Sequence, residues 1–170
     1  MNKLLSILFI LTSAWSFGQI RLNKIADLPK TMHETSGLLL YKNKYLITHN
    51  DGGNKSEIFI LNKKGEHVKT INIEDVKNKD WEDLAQDNKG NIYIGDFGNN
   101  NNNRENLCIY KIKDGFIDKK GAKAHKISFY YEDQIKFPPK KINLQFDCEA
   151  FFEKDGLLYL LTKCRTKPFT

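Results

Sequence analysis

Hydrophobic and polar residues alternate in short runs along most of the chain, and Gly, Asn and Asp separate the runs. A period of two residues is typical of β-strands that bury one face. No stretch carries the three-to-four-residue spacing of an amphipathic helix. The pattern therefore predicts an all-β chain with strands at 36–41, 45–50, 57–62, 68–73, 82–86, 91–96, 107–112, 126–131, 148–153 and 157–163.

The strands fall into groups of four, and each group opens with a similar motif. Each unit has an acidic or small opening, a short strand, a Gly or Asn turn and an apolar strand, as at Thr35-Ser36-Gly37-Leu38, Trp81-Glu82-Asp83-Leu84 and Asp147-Cys148-Glu149-Ala150. Four strands in about 45 residues is the period of β-propeller blades. A β-sandwich is the competing architecture, but it has no reason to repeat its opening motif. We predict an incomplete β-propeller of four-stranded antiparallel blades, at 34–75 and 80–132, with part of a third at 147–170.

The N-terminus has the pattern of an export signal. A positive start at Lys3 precedes an apolar run at 4–11, and Ser16 and Gly18 are small residues at the −3 and −1 positions of a cleavage site. The apolar run is shorter than the roughly 20 residues of a membrane span. We predict a signal peptide at 1–18, a mature domain at 19–170, a periplasmic or extracellular location and no membrane span.

The net charge of +6 comes from lysines scattered in predicted turns. Nucleic-acid binding would require these charges on one face, interleaved with stacking aromatic residues. The pattern favours a solvated lysine-rich surface, and we expect no nucleic-acid partner.

The cysteines are Cys108, Cys148 and Cys164, an odd number for an exported chain. A two-residue turn at 155–156 would place Cys148 opposite Lys163 and put the sulfurs of Cys148 and Cys164 on opposite faces. A three-residue turn would place the two cysteines opposite each other and allow a disulfide. Both alternatives stay open, with buried free thiols as the simpler expectation.

Several motifs resemble one known family. They are Glu34-Thr35-Ser36-Gly37-Leu38, His49-Asn50-Asp51-Gly52-Gly53, Asp80-Trp81-Glu82-Asp83-Leu84-Ala85, Gly95-Asp96-Phe97-Gly98-Asn99-Asn100 and Asp147-Cys148-Glu149-Ala150. Together they are similar to a bacterial family of exported six-bladed propellers, near the gluconolactonase, calcium-dependent phosphotriesterase and NHL-repeat propellers. The resemblance implies a propeller fold and export. It implies no particular activity, since functions in that family are mostly unassigned.

Recurring oxygen ligands predict a metal site. In a propeller the first strand of every blade lines the central channel, so Glu34, Glu82 and Glu149 are expected to converge, with Asn50 and Asp96 nearby. Asp51, which follows Asn50, is a further possible oxygen donor. Converging carboxylates repel each other unless a cation or proton neutralises them, and hard oxygen ligands suit Ca²⁺. The alternative is that these acids accept hydrogen bonds from backbone N–H groups and hold neighbouring blades together.

His49 is the one histidine that lies in a motif with acidic neighbours, so it is the candidate general base. The alternative is a hydrogen-bonding strand residue without catalytic function. Sequence signatures of zinc proteases, serine hydrolases and phosphate-binding loops are not found.

Two further features have predicted structural roles. Trp81 and the recurring Tyr45, Tyr93 and Tyr159 lie within apolar strands, so we expect them in the core between blades. The asparagine tract at 99–103 is expected to form a mobile low-complexity loop.

Three functions are compatible with this pattern. The first is an exported binding module for an unknown small molecule, envelope polymer or protein, with a divalent cation at the channel mouth. The second is a metal-dependent lactonase or phosphoesterase, in which the cation polarises the ester oxygen and an acid or His49 activates water. The third is an inactive fragment. Because open blade edges need covering, we also expect either a longer parent protein or an oligomer.

Overall fold

The computed structural model describes residues 21–164, and within this range the regular elements are ten strands and three short 3₁₀ turns. The strands are β1 Thr35–Tyr41, β2 Tyr45–Asn50, β3 Glu57–Asn62, β4 His67–Glu74, β5 Trp81–Gln86, β6 Ile92–Asp96, β7 Cys108–Ile112, β8 Gly121–Ser128, β9 Asp147–Lys154 and β10 Leu157–Lys163. The turns cover Lys30–Met32, Phe116–Asp118 and Lys141–Asn143. The all-β prediction is confirmed. The predicted signal peptide and its cleavage site lie outside the described residues.

The first eight strands form one sheet in the order β1-β2-β3-β4-β8-β7-β6-β5. All neighbours are antiparallel except β4 and β8, which run parallel and pair Asn72 with Gly121 and Ile73 with Ala122. The sequence predicts separate four-stranded blades at this point, and the structure differs. The outer strands of the two units come close enough to exchange backbone hydrogen bonds, so β1–β4 and β5–β8 are two halves of one eight-stranded sheet.

The two halves face each other across the main hydrophobic core. Ile47, Ile58 and Ile71 of the first half and Trp81 and Ile94 of the second half are all fully buried there. The edge strands β1 and β5 also contact each other, so the sheet is nearly closed. Burying each of these large side chains contributes about 1.5–3 kcal/mol, and this core fixes how the loops at the strand ends are placed.

The third unit is the hairpin of β9 and β10, and β9 packs beside β5. Its two-residue turn pairs Lys154 with Leu157, and Asp155 and Gly156 both have the positive φ that such turns require. The two-residue alternative is therefore confirmed. A register shift further along places Cys148 opposite Thr162 instead of the predicted Lys163.

Cys108 and Cys148 are buried free thiols. Burial raises the pKa of the Cys148 thiol to about 12. A reactive thiol requires the opposite shift, so Cys148 is a packing residue.

The expected core aromatics divide into two groups. Trp81 and Tyr93 are buried, as predicted, and Tyr45 is partly buried against the main core. Tyr159 is 43% exposed, so the prediction is wrong for this residue. The reason is that Tyr159 lies on the face of the hairpin that no described residue covers.

The prediction of a mobile asparagine loop at 99–103 is also wrong for two of its residues. Asn99 and Asn102 are buried. Asn99 donates to the carbonyl of Phe146, and Asn102 accepts from the backbone N–H of the same residue. The tract therefore fastens the second unit to the segment that leads into β9.

Within residues 21–164, no helix has the length and apolar character needed to cross a bilayer.

Candidate functional site

Three carboxylates meet where the loops at one end of the first two units come together. Asp51 follows β2, Asp80 precedes β5 and Glu82 lies near the start of β5. One ligand oxygen from each of them lies within 4.8 Å of the others. We call this group the acidic centre. Asp51 is exposed, whereas Asp80 and Glu82 are partly buried, so the acidic centre opens to solvent on one side.

A β-bulge places Glu82 in the acidic centre. In the β5–β6 ladder Trp81 pairs with Asp96 and Asp83 pairs with Gly95, so Glu82 is the extra residue between them. A bulge interrupts the alternation of a strand and redirects the side chain of the extra residue.

The bulge of Glu82 recurs in the third unit. Cys148 pairs with Thr162 and Ala150 pairs with Leu161, so Glu149 is the extra residue there. In the first unit the irregularity falls between Ser36 and Leu38, where the unpaired residue is a glycine. The repeat thus presents a carboxylate at this position only in the second and third units.

Two glycines make room for the carboxylates. A Cβ on Gly98 would lie 2.1 Å from Oε1 of Glu82 and 2.5 Å from Oδ2 of Asp80. A Cβ on Gly52 would lie 2.3 Å from Oδ1 of Asp80. Gly52 and Gly98 occupy corresponding positions, each two residues after the last residue of β2 or β6. Both glycines therefore form the wall of the acidic centre, and a side chain at either position would displace Asp80 or Glu82.

The carboxylates of the acidic centre form no ion pair with the part of the chain that the structure describes. Within residues 21–164, no Lys, Arg or His forms an ion pair with Asp51, Asp80 or Glu82. Burial and the neighbouring charges of Asp51, Asp80, Glu149 and Asp147 together raise the pKa of Glu82 from 4.5 to about 8. Burial also raises the pKa of Asp80, against the opposing effect of Arg104. Deprotonating the whole group is unfavourable unless a cation enters it.

Asp96, a predicted metal ligand, has a guanidinium partner of its own. Its carboxylate is 1% exposed and accepts a 2.7 Å hydrogen bond from Nη2 of Arg104. Its Oδ1 also accepts from the backbone N–H of Asp80. These contacts favour a structural role for Asp96, which orients the loop carrying Asp80.

The other predicted ligands in the first unit are placed differently. Glu34 is exposed and accepts a hydrogen bond from Nδ2 of Asn54. Asn50 is buried and donates to the carbonyl of Thr31. Oδ1 of Asn50 and Oδ2 of Asp96 are buried without a hydrogen-bond partner among the described residues. Neither Glu34 nor Asn50 belongs to the acidic centre.

Glu149, the remaining predicted ligand, lies beside the acidic centre. Its negative charge contributes to the raised pKa of Glu82, and its Oε1 accepts from Nζ of Lys163 at 3.1 Å. Of the five predicted ligands, the structure brings Glu82 into the acidic centre and Glu149 to its border.

His49, the candidate general base, is fully buried. Its Nδ1 lies 2.9 Å from the carbonyl of Asn50, and its ring packs edge-on against Trp81. Burial lowers the pKa of His49, against the opposing effect of the hydrogen bond to Asn50. This position favours packing between β2 and β5, and the role of His49 as a base stays a prediction.

Sequence reasoning missed Asp80 as a ligand and gave Asp51 only a supporting role. Both residues lie in the quoted motifs His49-Asn50-Asp51-Gly52-Gly53 and Asp80-Trp81-Glu82-Asp83-Leu84-Ala85. The available signal was the glycine two residues after β2 and two residues after β6. A glycine at such a position often marks a place where another group approaches the backbone closely.

Comparisons with known proteins do not identify a relative: no family model, curated protein or solved structure matches the chain. The resemblance to the exported six-bladed propellers therefore stays a prediction.

Proposed function

We propose that the protein is an exported binding module that holds a divalent cation, Ca²⁺, between Asp51, Asp80 and Glu82. The observation that carries this proposal is the meeting of three carboxylates within 4.8 Å with no cationic partner in the described chain. Two unit charges at such a distance repel by roughly 3–4 kcal/mol at an effective dielectric constant of about 20. One divalent cation removes this repulsion for all pairs at once.

The donor atoms favour calcium over zinc. All three ligands are carboxylate oxygens, whereas zinc sites usually include His nitrogen or Cys sulfur. Ca²⁺ binds oxygens at about 2.3–2.6 Å, so ligands on opposite sides of the ion can be about 5 Å apart. The 4.8 Å limit on the separation of these oxygens therefore fits one shared calcium ion.

The coordination number leaves room for a ligand. Three carboxylates supply at least three of the six to eight oxygens that Ca²⁺ takes, and the exposed side of Asp51 opens the remaining positions to solvent. Hydroxyl, carboxylate or phosphate oxygens of a bound molecule can occupy these positions. The proposed partner is an oxygen-rich small molecule, envelope polymer or protein segment that binds through the cation.

A metal-dependent hydrolase is the second candidate. The same open positions would accept an ester oxygen and a water molecule. What favours it is the additional carboxylate of Glu149, whose negative charge raises the pKa of Glu82. A panel of lactones and phosphotriesters assayed with calcium separates the two candidates, because a binding module turns over none of them.

The proposed architecture is a β-propeller in which successive units surround a common axis. The contacts of β5 with both β1 and β9 support it, since first strands are the neighbours around such an axis. The parallel pairing of β4 with β8 is an addition to that arrangement. A diffraction structure in which the first strands of successive units do not surround one axis would exclude the propeller.

Isothermal titration of the 19–170 chain with calcium tests the proposed function. We expect saturable binding of one ion per chain, lost in Glu82→Gln and weakened at least tenfold in Asp51→Asn. The matched control is Glu132→Gln, an exposed glutamate outside the acidic centre, which should bind as the unmodified chain does. Equal calcium affinity in Glu82→Gln and the unmodified chain would refute the proposal.

Export is part of the same proposal and is tested separately. N-terminal sequencing of the protein from its native host should give Gln19 as the first residue. Recovery of the chain from the cytoplasm with Met1 intact would exclude the export signal.

A further inference from the structure

One face of the β9–β10 hairpin is apolar and uncovered. Phe152, Leu157, Tyr159 and Leu161 are between 43% and 60% exposed. The rings of Phe152 and Tyr159 stack in parallel, with their centroids 4.9 Å apart. Within residues 21–164, β10 has no strand partner on its outer side. We call these four residues the hairpin face. Contiguous exposed apolar side chains beside an open strand edge mark an interaction surface.

The two earlier units use the corresponding face to pack against the next unit. The cross-strand pair Phe152–Tyr159 corresponds to Ala85–Tyr93, which is buried in the second core against the hairpin. In the first unit the pair Leu39–Ile47 is buried in the main core against β5–β8. The hairpin face is therefore the equivalent surface of the third unit, and this surface is covered in both the first and the second unit.

A complementary surface lies on the opposite side of the first unit. Leu84 of the second unit is buried against the first unit, and Phe151 of the hairpin is buried against the second. The corresponding residue of the first unit is Leu38, which is 64% exposed. Leu40 is also exposed. We call Leu38 and Leu40 the first-unit face, and beside it a cavity of about 510 Å³ is lined by Leu38 and the 23–28 segment.

We propose that the hairpin face of one molecule binds the first-unit face of a second copy of the same chain. The chain makes this type of contact twice internally, first unit to second unit and second unit to hairpin. A further contact of the same kind joins the third unit of one copy to the first unit of the next. Such a head-to-tail interface uses two different surfaces, so it produces closed rings or open chains of molecules.

Sedimentation and light scattering of the 19–170 chain over a range of concentrations test this interface. We expect reversible assembly beyond the monomer at micromolar concentration. A charge on either face should abolish it, so Leu161→Glu and Leu38→Glu should each be monomeric. Both side chains are largely exposed, which keeps the cost to folding small. Leu161→Lys is a second variant with the opposite charge. Asn88→Glu, in an exposed turn, is the matched control and should assemble like the unmodified chain.

Mixing the two variants distinguishes this interface from other contacts. Each variant retains one intact face, so an equimolar mixture of Leu161→Glu and Leu38→Glu should form a dimer that does not grow further. A mixture that stays monomeric would overturn the proposal, as would assembly of Leu161→Glu like the unmodified chain. An unmodified chain that is monomeric at about 100 μM, with slowly exchanging β10 amides, would instead show that another segment of the chain covers the hairpin face.

Discussion

The second strands of the first two units, β2 and β6, end with the same backbone pattern, but the acidic residues at these ends differ in their charge partners. Asn50 ends β2 and Asp96 ends β6, and each is followed two residues later by a glycine. In the second unit the acid is buried and paired with Arg104. In the first unit that position is neutral, and the acid is the next residue, Asp51, which faces the acidic centre.

This difference distinguishes carboxylates that stabilise the fold from carboxylates that are available to bind a cation. The buried Asp96 has a guanidinium from its own chain, and Asp83 accepts a hydrogen bond from the backbone N–H of Phe151. Within residues 21–164, Asp51, Asp80 and Glu82 form no ion pair with a Lys, Arg or His side chain. An acid whose charge is satisfied internally stabilises the fold, whereas a group of acids without a partner is left for an external cation.

The largest expected effect follows from removing the internal partner. Arg104→Met leaves Asp96 buried and uncompensated, and we expect a loss of about 3–5 kcal/mol in the free energy of unfolding. Urea unfolding measures it. The control is Lys163→Met, which removes the more exposed ion pair to Glu149 and should cost at most about 1 kcal/mol. Equal losses in the two variants would contradict the structural role of the Arg104–Asp96 pair.

The second expected effect concerns the wall of the acidic centre. Gly98→Ala places a Cβ against the carboxylates of Glu82 and Asp80, so these must move apart and calcium binding should be lost. With calcium at a hundredfold excess over its Kd, the lost stabilisation is about 2.7 kcal/mol. Thermal unfolding with and without calcium measures this difference.

Gly53→Ala is the matched control for Gly98→Ala. A Cβ there meets no atom within 4 Å, but φ is +79°, so the substitution strains the backbone by about 1 kcal/mol. Calcium should still raise its melting temperature. A calcium response that survives in Gly98→Ala would show that the cation binds elsewhere.

The sequence predicted the strands well because each one buries one face and carries a local alternation. All ten predicted strands overlap observed ones, and the Asp155-Gly156 turn follows from residues that tolerate positive φ. The β4–β8 pairing was not predictable from local pattern, since it joins residues about fifty positions apart through backbone atoms alone. The burial of Asn99 and Asn102 was missed because polar tracts resemble loops until their hydrogen-bond partners are known.

The sequence predicts the kind of site, a cluster of carboxylates, but only some of the residues that form it. Recurrence along the chain identified Glu82 and Glu149, which occupy the same bulge position in two units. It also selected Glu34, which lies before β1 and contacts Asn54 in solvent. Asp80 enters the acidic centre through the close packing of Gly52 and Gly98, and no local pattern encodes that packing.

A further expected effect is a pH dependence of stability in EDTA. The pKa of Glu82 is raised to about 8 in the folded chain and is near 4.5 when unfolded. Between these values the folded state holds the proton more tightly, so the free energy of unfolding should fall as pH rises from about 5 to about 8. Glu82→Gln should remove part of this slope, measured by urea unfolding at several pH values. An identical slope in both proteins would show that Glu82 is not responsible.

The most direct measurement is anomalous diffraction at long wavelength from crystals of the 19–170 chain grown with calcium. We expect an anomalous peak about 2.3–2.6 Å from carboxylate oxygens of Asp51, Asp80 and Glu82. The absence of a peak between these three carboxylates at saturating calcium, or a peak at Glu34 or Glu149 alone, would contradict it.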